Sequence, residues 1–142
     1  MYKRILVAVD GSPISAAAFR AALQQALAWN AELHIVYVIE TGLFKGVPAD
    51  NTVEMLYNML QIEGQNVVDN LVSDAERAGV KPVLHFEQGH AGEVILSLSK
   101  EIEADLIVLG SHGKSDIDRL LLGSVTTFVI AQSSISTLVV RS

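Results

Sequence analysis

The sequence predicts an α/β fold, an open five-stranded parallel sheet covered by helices on both faces in a single domain of 142 residues, and three observations lead there. Short runs of branched apolar residues recur without polar alternation, which marks strands buried on both faces. Segments with apolar residues at helical spacing stand between those runs, and right-handed crossovers place such helices on the faces of a parallel sheet. Half of the residues are hydrophobic, enough for one core at this length without covalent staples.

Each element follows in chain order. Arg4 to Val9 (RILVAV) is the first strand, stopped by Asp10, Gly11, Ser12 and Pro13. Ser12 caps a helix with Pro13 in its first turn, and Ala16, Phe19, Leu23, Ala26 and Leu27 form its apolar stripe. Leu33 to Ile39 is the second strand, and Thr41 to Asn51, with two glycines and a proline, is a loop. Thr52 to Ala78 carries a helical stripe from Val53 to Ala78, with a kink or break expected near Gly64 and a stop at Gly79. Val83 to Phe86 is a third strand diluted by Lys81, Pro82, His85 and Glu87. Ala91, Val94, Ile95, Leu98 and Ile102 mark another helix, and Asp105 to Leu109 (DLIVL) is the fourth strand. A helix begins at Ser124, and Thr137 to Val140 closes the sheet.

Composition removes several functions. With no cysteine there is no disulfide framework, thiol nucleophile or thiolate zinc site. The formal charge of -6 speaks against nucleic acid, whose backbone requires a basic surface. No apolar run reaches the roughly 20 residues that cross a bilayer, so no membrane role is expected. The start MYKRILVAVDGS enters a strand pattern at once, which argues against a secretory signal and for the cytoplasm. An anionic ligand must then be held locally, by backbone dipoles and a few cations.

The segment from Gly110 to Ser124 is where such holding is expected. It leaves the carboxyl end of a buried strand and reaches the amino end of a helix, the place where open parallel sheets bind ligands. Gly110 and Gly113 let backbone amides approach and wrap a polyphosphate, with positive φ available to them. Amides around Gly123, Ser124 and Val125 carry the positive end of a helix dipole. Ser124 adds a hydroxyl, Lys114 and Arg119 add cations from within the loop, and His112 can hydrogen-bond phosphate or stand exposed.

The run GSHGKSDIDRLLLGSV resembles the nucleotide loop of the universal stress protein family in its ATP-binding branch, Gly-x-x-Gly, nine residues, then Gly-Ser. The likeness extends to ILVAVDGS, AELHIVYVIE, ADLIVLGSHG and LVVRS, which together span nearly the whole chain. This resemblance implies a Rossmann-like sheet of order 3-2-1-4-5 with ATP, or else AMP or ADP, at the switch between strands one and four. It also implies that Asp10 hydrogen-bonds the ribose or adenine end, that Ala8 and Val38 border the base, that Val9 is among the nucleotide-binding residues, and that Leu109 and Gly110 meet the ribose region. The same resemblance implies that Gly113, Gly123, Ser124 and Val125 hold the phosphates and that Mg2+ or Mn2+ accompanies the nucleotide, as it often does in the family. A homodimer is implied too, through Thr137, Leu138, Val139 and Val140 of an exposed edge strand. One departure is Ser136, where the family often has proline before the last strand.

Two functions remain open at this stage. One is an ATP-binding regulatory module in stress response or signalling, with little or slow hydrolysis. The alternative is a slow ATPase or phosphotransferase, which needs a metal-anchoring carboxylate and a water-orienting group; Asp10, Asp116 and Asp118 are available. No Walker pattern precedes Gly113-Lys114-Ser115, and Ser12, Ser111 and Ser124 lack a base at nucleophile spacing. A phosphoacceptor receiver is set aside because strand three ends in Phe86 and Glu87 without an acceptor aspartate. His85, Glu87 and His90 match no strong metal pattern and are expected to be ordinary strand and turn residues.

Overall fold

In the computed structural model, which describes residues 1–44, 46, 51–113 and 122–141, the apolar run Arg4–Val9 becomes β1 at the centre of the sheet. It pairs in parallel with β2 (Glu32–Glu40) on one side and β4 (Leu106–Gly110) on the other. β3 (Val83–Gly89) lies outside β2, and β5 (Ser136–Val140) lies outside β4, all parallel. The order is therefore β3-β2-β1-β4-β5, as the family resemblance implies. Ser136 is the first residue of β5, paired with Leu106, so the missing proline does not disturb the strand's entry.

Strand alternation divides the core. Ile5, Val7 and Val9 turn to one face with α1 (Pro13–Trp29) and α2 (Asn51–Arg77), around the buried Phe19, Val68 and Leu71. Leu6 turns to the other face with Val36, Ile107 and Leu109, under α3 (Ala91–Glu101) and α4 (Ser124–Gln132). Burying a side chain the size of Phe19 contributes about 1.5–3 kcal/mol. Ser12 caps α1 as expected, its side chain accepting from the Ser15 N–H, and Asn30 closes that helix in the left-handed region with φ 53°. Leu27, expected on the buried stripe, is instead 52% exposed, because Ile14, Ala18 and Ala22 set a stripe that turns away from it.

Three further expectations are corrected. α2 runs unbroken from Asn51 to Arg77, and Gly64 sits buried within it. A Cβ at Gly64 would lie 2.5 Å from Tyr37 Cε1 and 2.8 Å from Phe86 Cζ, so the glycine lets the helix approach that stacked ring pair. β3 extends beyond Phe86 to Gly89, because β2 offers partners as far as Glu40. Within the expected loop, Thr41–Phe44 forms a 3-10 turn.

His85 has its partner across the strands. Its Nε2 lies 2.9 Å from His34 Nδ1, the two rings stack, and His34 Nε2 is 3.2 Å from Glu32 Oε1. Burial, and next the neighbouring His34, hold the His85 imidazole below its ordinary value of 6.5. His90 caps α3, its Nδ1 accepting from the Glu93 N–H. Among the described residues no three His, Asp or Glu side chains gather as metal ligands.

Candidate functional site

A cavity of about 470 Å3 opens at the carboxyl ends of β1, β2 and β4, the switch point at which the connections from the neighbouring strands β1 and β4 leave in opposite directions. Its volume falls within the range of about 300–1,000 Å3 usual for small-molecule sites. Ala8, Val9 and Asp10 line it from β1, and Val36 to Glu40 from β2. Leu109 and Gly110 enter from β4, followed by His112 and Gly113. Gly123, Ser124, Val125 and Thr126 close it at the start of α4. Every expected site residue among those described thus stands on one cavity wall. Lys114, Arg119, Asp116 and Asp118 lie outside the described residues.

The two halves of the cavity differ in chemistry. Ala8, Val36, Val38, Ile95, Leu60 and Leu109 make an apolar half. The other half holds Asp10, His112, Gly113 and the start of α4. The internal ladder of α4 starts with the Thr127 N–H donating to Gly123 O at 2.9 Å, so the N–H groups of Ser124, Val125 and Thr126 are left out of it. They carry the positive end of the α4 dipole, where anions are favoured without a basic side chain.

Several bonds set the position of that helix end. Gly123 N–H donates to Ser111 O at 2.7 Å, and Ser111 N–H donates to Val140 O at 2.8 Å. Thr126 Oγ1 donates to Gly110 O at 2.7 Å. This corrects one expectation: the Gly123 amide is committed to the fold, and the amides of Ser124, Val125 and Thr126 remain for an anion. Gly110 also differs from expectation, since its φ is not positive. A Cβ there would come 3.1 Å from Ile14 Cγ1, so glycine serves close packing against α1. The left-handed glycine beside the site is Gly11, φ 86°.

Asp10 forms the turn after β1 and also lines the cavity. Its Oδ1 accepts from the Ser12 N–H at 2.9 Å and its own N–H donates to Ser15 Oγ at 3.2 Å, which fixes the turn into α1. His112 Nδ1 lies 3.1 Å from the Ser111 hydroxyl, a buried group. Sequence reasoning missed Glu40, Leu60, Ala91 and Thr126 as cavity residues; each arrives from a different element by tertiary packing, and no local pattern marks it.

A largely apolar pocket at the switch point of a five-stranded parallel sheet, next to the amino end of a helix, defines an α/β protein of the open, doubly covered class. The universal stress protein family model matches residues 1–141. The chain is similar to universal stress protein MJ0531 of Methanocaldococcus jannaschii, with 35% identity over 141 residues that cover 99% of this chain and 83% of that protein. Among solved structures it is similar to MJ0577 of the same organism, with a TM-score of 0.88 and 31% identity, covering 100% of this chain and 97% of the other. A universal stress protein in complex with cAMP superposes with a TM-score of 0.74 at 28% identity, covering 99% and 97% of the two chains. The chain belongs to the universal stress protein family.

Proposed function

We propose that this protein binds an adenine nucleotide, ATP foremost, in the switch-point cavity and acts as a regulatory module of the stress response, with little or slow hydrolysis. The observation that carries the proposal is the pairing of an apolar half with the unladdered amides of Ser124, Val125 and Thr126. The apolar half suits a base, and the amides suit phosphate. The relative solved with cAMP, itself an adenine nucleotide, supports the choice of base. Asp10 serves the ribose or adenine end, and Gly113 lets the loop backbone approach the phosphates.

The Mg2+ or Mn2+ implied by the family finds no cage of three His, Asp or Glu side chains among the described residues, and no step is assigned to it. Regulation is preferred over catalysis because the described wall holds hydrogen-bonded turn residues rather than a paired acid and base.

Calorimetry with ATP tests the binding. Valine at Gly113 or at Gly123 should weaken affinity at least about tenfold, or ~1.4 kcal/mol; unchanged affinity in both variants would sink the assignment. Steady phosphate release near about 10 per second, an ordinary enzymatic rate, would favour the ATPase instead. We further propose a two-fold dimer through β5, the outer strand, where Leu138 is 36% exposed. Light scattering should give twice the chain mass of 15.3 kDa, and a species of single mass at micromolar concentration would count against it.

A further inference from the structure

We propose that Glu40 is a specificity-determining residue that selects a base with an amino group at position 6, adenine, over one with a carbonyl there, hypoxanthine or guanine. The inference rests on the nucleotide reading above and assigns that site's selectivity.

Placement comes first. The phosphate-favouring amides stand at α4, beside the end of β4, and Glu40 ends β2. β1 lies between those strands, so β2 is about 10 Å across the sheet from β4 at the usual strand spacing. A nucleotide whose phosphates meet α4 therefore directs its base toward β2. Glu40 follows Val38 by two residues, so the two side chains share a strand face, and both line the cavity.

The chemistry of the carboxylate comes second. Glu40 Oε2 accepts from the Ala91 N–H at 3.0 Å, which ties the side chain to the first turn of α3. Oε1 has no hydrogen-bond partner among the described residues. The side chains of Val36, Val38, Ile95 and Leu60 around it are apolar, so this carboxylate is a polar group set among apolar walls. An ionised carboxylate only accepts hydrogen bonds. An amino group at position 6 can donate to it, while a carbonyl there meets it acceptor to acceptor and forms no hydrogen bond, the kind of mismatch by which binding sites disfavour near-isosteres.

Glutamine at this position sharpens the test, because the Ala91 N–H claims its carbonyl oxygen and turns its amide NH2 toward the cavity. Calorimetry with ATP and ITP on the full chain reads the ratio of affinities, with a thermal melt confirming that each variant is folded. Wild type should favour ATP at least tenfold, and Glu40→Gln should move the ratio toward ITP by at least tenfold. A wild type that binds ITP as well as ATP overturns the proposal with no variant needed. A folded Glu40→Gln protein with an unchanged ratio also overturns it and leaves Glu40 as a cap for α3 alone. If wild type binds neither nucleotide at millimolar concentration, the nucleotide reading fails and this one falls with it, an outcome distinct from ATP binding without discrimination.

Discussion

Replacing Gly64 by alanine sets two opposed effects against each other at one atom. Alanine in a helix interior is favoured over glycine by about 1 kcal/mol, so a surface glycine in α2 would be improved by the change. At Gly64 the new methyl would lie 2.5 Å from Tyr37 Cε1, 2.8 Å from Phe86 Cζ and 2.9 Å from Tyr37 Cδ1. These are ring atoms of a stacked pair with centroids 5.3 Å apart, and Tyr37, the ring with the nearest atom, is only 5% exposed, so it cannot swing aside into solvent. Overpacking of this kind costs about 1–3 kcal/mol, and contact with two rings places it at the upper end. The net loss is then about 2 kcal/mol, which for a chain of this length lowers Tm by about 6 °C. Because Tyr37 also lines the cavity, ligand affinity should fall in the same variant. Thermal and urea melts check the first effect and calorimetry the second. A Tm equal to or above that of the wild type would refute the packing argument and return Gly64 to the status of an ordinary weak point in a helix.

Two further outcomes are expected. His85 is held below 6.5 by burial and then by His34, so its contribution to stability is fully present above about pH 6.5 and is lost as pH falls through the folded-state value. Melts between pH 8 and pH 5 should show a decline on the acid side that is shallower in His85→Asn, and parallel curves would contradict the assignment. Thr126→Val removes the donor to Gly110 O in a residue only 4% exposed, and should cost about 1–3 kcal/mol. It should also weaken nucleotide binding, because the bond positions the α4 amides; a variant destabilised in melts but unaltered in calorimetry would separate the two effects.

The central strands were legible because each is a short, branched, apolar run bounded by turn residues: RILVAV ends at Asp10-Gly11 and LIVL at Gly110. β3 was legible in part. Val83 to Phe86 carries its own signal, whereas Glu87 to Gly89 is extended because β2 holds it there. The break expected at Gly64 shows the converse error, in which composition marks a weak point and the tertiary contact that requires it lies 27 residues away in sequence at Tyr37. The same distance problem hid the His34–His85 contact, which exists only once β2 and β3 are in register. Around the cavity, loop glycines and strand ends were readable from spacing. Glu40 and Thr126 were not, since their partners, Ala91 and Gly110, are 51 and 16 residues away.

The bond from Gly123 N–H to Ser111 O has a consequence for how affinity is divided. It closes the chain excursion after β4 at its base, and Thr126 and Val140 fasten the same junction to β4 and β5. The entropy of bringing the ends of that excursion together is thus settled during folding, before any ligand arrives. Under the proposed nucleotide reading, an anion would meet a helix end already positioned by the fold, and little of its binding energy would be spent on ordering it.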